Sequence, residues 1–180
     1  MTLEWRELKQ ELVAECRIFS VERSFAVSPH DGATHDFYRI RTTDWVQIVP
    51  ITRDREVVLV RQYRHGSQSA TLEIPGGLIE PGEQPAVAAL RECLEETGFR
   101  GAEACDLGVL NPNPALFGNR LHAFYAENVE RVAAVQNLER EHTVVELVPL
   151  GNLEGMLLRG EIDHALVVAA LWRYLRIAHE

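Results

Sequence analysis

Paired cysteines, a basic surplus, long apolar runs and internal repeats are all missing from this chain of 180 residues. Its three cysteines, Cys16, Cys93 and Cys105, form no CxxC pair and are odd in number, which argues against a disulfide framework or a structural zinc site. They read as small packed thiols. Lysines and arginines number 18 against 27 aspartates and glutamates, a formal charge of -9. A broad nucleic-acid surface needs clustered cations to displace counterions from phosphates, so no nucleic-acid partner is expected. No segment approaches the ~20 apolar residues that a membrane span requires. The N-terminal MTLEWRELKQELV intermixes charges with apolar residues and lacks the basic end and apolar stretch of a secretory signal. A cytoplasmic protein without a membrane partner is therefore expected. With no Pro/Gly/Ser linker to divide it, the chain reads as one domain, long enough to bury roughly two thirds of the surface its unfolded form exposes.

What is present first is strand. CRIFSVERSFAV, THDFYRIRT, WVQIVPIT and REVVLVRQYR are rich in β-branched and aromatic residues and separated by polar breaks. Asp31-Gly32, between the first two, is a hairpin signal. Further strands are expected at LHAFYAEN and TVVELVPL. Pro85 stands where a first helical turn begins, AVAALRECLEET continues without a breaker, and Gly98 stands where a helix end favours a left-handed residue. The chain closes with DHALVVAALWRYLRIA, an apolar helix that Asp163 can cap. Strands that come mostly first, with helices late, imply an α/β fold in which a mixed sheet is covered by helices on both faces.

Negative charge is concentrated at one place. Glu83, Glu92, Glu95 and Glu96 fall beside a glycine turn with a single cation, Arg91, among them. On the expected helix, Val87, Leu90 and Leu94 lie within about 60° of one another and form the expected buried stripe, with Glu92 and Glu96 one turn apart on the opposite side. Like charges at that spacing repel, and no lysine is interleaved to relieve them. A hard divalent cation would, because Mg²⁺ takes carboxylate and carbonyl oxygens and leaves positions open for substrate phosphates.

The spacing is specific. From Gly77 the chain runs glycine, five residues, Glu83, seven residues, then Arg91-Glu92-Cys93-Leu94-Glu95-Glu96-Thr97-Gly98-Phe99. This resembles the signature box of the Nudix hydrolases, G-x5-E-x7-REUxEExGU with U bulky and apolar, and the seven fixed letters would coincide by chance at about 10⁻⁸ per starting position. Cys93 takes a place usually aliphatic and reads as packing. The resemblance implies a Nudix α/β/α sandwich over approximately residues 44–180. Ahead of it lie N-terminal antiparallel strands, approximately 1–43, that exceed what one sandwich needs; by the same resemblance a homodimer is expected to pair through them.

By that resemblance the activity is Mg²⁺-dependent hydrolysis, with Mn²⁺ as a substitute, of a nucleoside diphosphate linked to a further moiety. Glu92 and Glu96 would be the principal metal ligands, Glu95 a further ligand or water-orienting carboxylate, and the Gly76 carbonyl another ligand. Arg91 and Glu83 would form a supporting ion pair between loop and helix. VRQYRHGSQSATLEIPGG resembles the segment before the box in ADP-ribose and nucleotide-sugar pyrophosphatases, which nominates Arg61, Arg64 and Glu73 as substrate contacts. Alternation along a strand lets Arg61 and Arg64 share a face only across a bulge, so at most one of them faces the diphosphate.

NPNPALFGNRLHAFYAEN resembles a loop bordering the ligand in the same group and nominates Asn119 and Arg120. In ADP-ribose-directed members a proline lies sixteen residues past the box, whereas Pro114 is fifteen past Phe99, which leaves ADP-ribose and a nucleoside diphosphate sugar both open. For the catalytic base the resemblance points to a loop after the box, where Glu141 is the first candidate, with Glu139 and His142 beside it. A non-catalytic nucleotide-sensing module of the same fold is the alternative; such modules carry an eroded box, and this one is intact.

Overall fold

The structure is a computed structural model that describes residues 2–137 and 142–178. Two compact units divide the chain, Met1–Thr43 with Asn111–Arg120, and Asp44–Leu110 with Leu121–Glu180.

In the first unit, strands β1 (Arg6–Glu15), β2 (Ser20–Val27) and β3 (Thr34–Arg41) make an antiparallel sheet in that order. The β2–β3 turn closes on Gly32, whose φ of 72° lies in the left-handed region, while the Asp31 carboxylate accepts from the Ala33 N–H at 3.0 Å. Segment 111–120 joins this unit by running beside β3: the Ile40 N–H donates to the Leu116 carbonyl at 2.8 Å and the Gly118 N–H to the Ile40 carbonyl at 3.1 Å. β1 lies in the N-terminal stretch for which the residues carry no strand expectation. Its charged and apolar residues are intermixed without a two-residue period, and every one of them is exposed.

The second unit is an α/β/α sandwich. β4 (Trp45–Thr52), β5 (Glu56–Arg64), β10 (Leu121–Arg131), β11 (Thr143–Pro149) and the short β8 (Phe99–Arg100) run in the order β11-β5-β4-β10-β8; β6 (Ser69–Glu73) pairs with β5, β7 (Gly76–Leu78) with β4, and β9 (Cys105–Leu110) with β10. Only β4 and β10 are parallel among these pairings, so the sheet is mixed. Helix α1 (Pro85–Thr97) packs on one face with Val46, Ile48, Val58 and Phe124. Helices α2 (Leu150–Leu158) and α3 (Ala165–Ala178) pack on the other with Val49, Ile51, Val57 and Leu59. Alternate residues of β4 and β5 thus feed opposite cores, which is why WVQIVPIT is buried from Val46 to Thr52 and apolar but for Gln47 and Thr52.

Three details depart from the expectations. The buried residues of α1 are Ala88, Ala89, Cys93 and Thr97, whereas Val87 is 57% exposed, so the buried stripe is one of small residues and not Val87-Leu90-Leu94. Small side chains let the helix lie close on the sheet. In consequence Glu92 and Glu96 flank the buried line and are partly buried instead of standing opposite it. At α3 the first-turn acceptor is His164, whose Nδ1 takes the Val167 N–H at 3.4 Å, and not Asp163. α2 was not expected; GNLEGMLLRG carries three glycines, which weaken any helical reading from propensity.

Gly98 ends α1 as expected, with φ of 74° and its N–H donating to the Leu94 carbonyl at 2.8 Å. A Cβ there would also collide with the Ala133 carbonyl oxygen. Gly98→Ala is expected to lower unfolding stability by about 1–3 kcal/mol, measured by urea denaturation; an unchanged midpoint would contradict this account of the helix end.

Candidate active site

β7 brings the glycine turn against α1. The Gly76 N–H donates to Glu96 Oε2 at 3.0 Å, and a Cβ on Gly77 would stand 2.5 Å from Glu92 Oε1. A Cβ on Gly76 would overlap the Val46 carbonyl oxygen of β4. Gly76 is therefore required by the close approach of backbone, whereas a side chain on Gly77 would displace the Glu92 carboxylate.

Arg91 gathers the charge. Its Nε and Nη2 donate to the two carboxylate oxygens of Glu83, both at 2.9 Å, in a bidentate fork. Nη1 donates to Glu92 at 2.8 Å and to Glu95 at 3.1 Å, and Nη2 also reaches the Leu78 carbonyl at 3.1 Å. The Arg91 bonds hold the Glu83 carboxyl below the usual carboxylate range against the opposing push of desolvation, and Glu83 also accepts the Glu80 N–H at 3.1 Å. The expected loop-to-helix ion pair is thus present, and the same guanidinium, in the absence of an interleaved lysine, also relieves the repulsion within the glutamate cluster.

Glu80, Glu92, Glu95, Glu96, Gln136, Asn137 and Thr143 line a cavity of about 260 Å³. Among the described residues no three His, Cys, Asp or Glu side chains converge as a formed metal cage. Glu92 is engaged by Arg91 and Glu96 by the Gly76 N–H. The donor set nevertheless fits a hard divalent cation by its chemistry: four carboxylates, of Glu80, Glu92, Glu95 and Glu96, around one polar cavity beside a backbone turn, with no thiol or imidazole among the described residues that line it. Cys93 is fully buried, and burial pushes its thiol up to about 12, so it is a packing residue without nucleophilic character.

The other expected site residues are placed differently from one another. β5 pairs with β6 without a bulge, so Arg61 and Arg64 lie on opposite faces. Arg61 forms an ion pair across to Glu146 of β11, its Nη2 at 3.2 Å. Arg64 forms a fork with Glu73, both N–H···O distances 2.7 Å, and the Thr71 hydroxyl donates to the same carboxylate at 2.6 Å. Glu73 is 0% exposed. Asn119 and Arg120 fall in the unit formed with Met1–Thr43; Asn119 is buried and its amide donates to the Thr43 carbonyl at 3.1 Å. Glu139 and Glu141 lie outside the described residues. Gln136, Asn137 and Thr143 were not singled out from the sequence, because uncharged polar residues after a strand carry no motif.

A NUDIX domain model matches residues 41–171. The chain belongs to the Nudix family. It is 32% identical over 167 residues to the ADP compounds hydrolase NudE of Escherichia coli K12, covering 92% of this chain and 88% of that protein. The ADP-sugar pyrophosphatase of Mus musculus is 37% identical over 53% of this chain and 48% of its own, and the ADP-ribose pyrophosphatase of Bacillus subtilis 28% over 55% and 54%. A crystal structure of an ADP compounds hydrolase superposes with a TM-score of 0.88 at 29% identity, covering 99% of this chain and 97% of that one. This Nudix hydrolase therefore has the sandwich fold that the box implied and the N-terminal antiparallel sheet expected from its strand-forming residues. No helix among the described residues is long and apolar enough to cross a membrane.

Burial pushes the Glu73 carboxyl up, but the Arg64 fork and the Thr71 hydroxyl outweigh it and hold the group below its ordinary value of 4.5. A depressed folded value means that the ionised carboxylate contributes stability above about 4.5, and that this contribution is lost as pH falls through the folded value. Urea unfolding across that range should show a steeper acid loss of stability for the wild type than for Glu73→Gln. Parallel curves would mean that the Arg64–Glu73 pair contributes nothing to acid sensitivity.

Proposed function

We propose that this Nudix hydrolase is a Mg²⁺-dependent pyrophosphatase, served also by Mn²⁺, that splits ADP-ribose or a nucleoside diphosphate sugar into a nucleoside monophosphate and a sugar phosphate. The observation that carries the reading is the cavity that Glu92, Glu95 and Glu96 share beside the glycine turn of an intact box. The names of its relatives, ADP compounds hydrolase, ADP-ribose pyrophosphatase and ADP-sugar pyrophosphatase, agree in substrate class.

Glu92 and Glu96 are the principal ligands in this reading, with Glu95 and the Gly76 carbonyl completing the set. A cation held there neutralises the diphosphate and lowers the pKa of the attacking water. The chain's own part is to keep the carboxylates in place and supply the rest. Arg91 anchors Glu83 and the turn through its fork, so that the glutamates of α1 keep their approach to Gly76 and Gly77. Arg64 contributes positive charge for a phosphate, held by Glu73, while Arg61 is tied to Glu146 on the other face and has the weaker claim as a substrate contact. Glu141 is the proposed base, with Glu139 next to it, taking a proton from the attacking water.

A cytoplasmic homodimer completes the reading. Its support is β1, a strand exposed along its length that carries Leu8 at 49% and Leu12 at 62% exposure. An open, partly apolar edge of this kind is usually covered.

Phosphatase-coupled phosphate release should be measured with Mg²⁺ across ADP-ribose, several ADP-, GDP- and UDP-sugars, dinucleoside polyphosphates and nucleoside triphosphates. Release is expected to be strongest with ADP-ribose or one nucleotide sugar. Glu96→Gln should lose more activity than the ~100-fold at which losses of outer-shell partners level off, with an unchanged circular dichroism spectrum. A folded Glu96→Gln enzyme that turns over normally would remove the metal assignment.

A further inference from the structure

A helix leaves its last carbonyls without internal partners. At the C-terminal end of α1 the chain that follows β10 supplies partners to two of them and to the Gly98 cap. The Gln136 N–H donates to the Glu95 carbonyl at 2.8 Å, and the Thr143 hydroxyl donates to the Glu96 carbonyl at 2.9 Å. The Gly98 carbonyl accepts the N–H groups of Val132 at 2.9 Å and Ala133 at 3.2 Å.

Thr143 is in turn fastened to Asn137. Its N–H donates to Asn137 Oδ1 at 2.9 Å, its hydroxyl lies 3.3 Å from the same oxygen, and the Asn137 amide donates back to the Thr143 carbonyl at 3.4 Å. Thr143 is 6% exposed at the first position of β11. Valine has nearly the same shape and suits a strand equally well. Packing and propensity therefore do not call for the hydroxyl; its bond to the Glu96 carbonyl does. That bond spans 47 positions of sequence and ends on the backbone of a glutamate whose side chain faces the acidic cavity.

We propose that Thr143, with Asn137 behind it, is a positioning residue for the metal-binding carboxylates. The clasp fixes the backbone of the turn that bears Glu95 and Glu96, so that their side chains enter the cavity from one defined direction. Loss of the hydroxyl frees the Glu96 carbonyl and lets that turn fray, which spreads the carboxylate oxygens over more positions and weakens a cation bound among them. This inference rests on the metal-holding role given above to Glu92, Glu95 and Glu96.

The test is Mn²⁺ binding to the full chain without substrate, read by the loss of the free-ion electron paramagnetic resonance signal. Wild type, Thr143→Val, Thr143→Ser and Asn137→Ala are compared, with Glu96→Gln as the ligand control and thermal unfolding as the check of fold. Thr143→Val is expected to bind Mn²⁺ about tenfold more weakly, and Thr143→Ser, which restores the hydroxyl, to remain close to wild type. Asn137→Ala leaves the buried threonine in place and is expected to weaken binding in the same direction, which keeps the clasp testable should Thr143→Val fail to fold. Wild-type affinity in the folded variants, with Glu96→Gln still impaired, would overturn the clasp alone. No Mn²⁺ binding by the wild type would overturn the metal assignment and the clasp with it.

Discussion

Four carboxylates within reach of one another need a counter-charge, and the organisation of this site turns on how Arg91 provides it. A guanidinium carries five N–H donors in a planar fork. Those of Arg91 go twice to Glu83 and once each to Glu92, Glu95 and the Leu78 carbonyl. A lysine ammonium has three donors and no fork, so it could not bind Glu83 bidentately while reaching both helix glutamates. Loop, turn and helix are thereby joined through a single side chain. The repulsion along α1 is offset within the protein, and a divalent cation that takes the helix carboxylates has Arg91 as its competitor.

The same arrangement depends on what the backbone lacks. Gly76 and Gly77 have no Cβ where one would overlap Val46 or crowd Glu92, and Ala89, Cys93 and Thr97 are small enough for α1 to lie close to the sheet. Close approach from both sides brings Glu92 and Glu96 to the rim of the buried stripe, where they are partly withdrawn from water. Carboxylates so placed need defined hydrogen-bond donors, and each has one: Arg91 for Glu92, and the Gly76 N–H for Glu96. Packing and electrostatics are thus two aspects of one constraint.

Much of this was legible from residue order alone. The box spacing identifies the loop and helix, Pro85 and Gly98 mark the ends of α1, and the apolar run of β4 foretells a strand covered on both faces. Other features were not legible. Val87, Leu90 and Leu94 satisfy the helical period as well as Ala89 and Cys93 do, and period alone cannot say which stripe faces a sheet that approaches closely. Asp163 has the better capping propensity, yet the helix begins one residue later and His164 provides the acceptor. β1 and α2 have weak local signals, one because its charged and apolar residues are mixed without a strand period and it has no buried face, the other because of its glycines.

Sequence by itself determined the chemistry of this protein: a fixed run of glycine, arginine and glutamate whose spacing on one turn and one helix suits it to a divalent cation and a diphosphate, in a chain of the Nudix family. Those contacts are local, lying within 23 residues, so spacing along the chain is enough to specify them. Tertiary structure decided what spacing cannot reach. It placed Arg61 and Arg64 on opposite faces, buried Glu73 under Arg64, and brought Thr143 to the Glu96 carbonyl across 47 positions. Each of those depends on strand register and on the close approach of helix to sheet, which arise only when distant segments pack together.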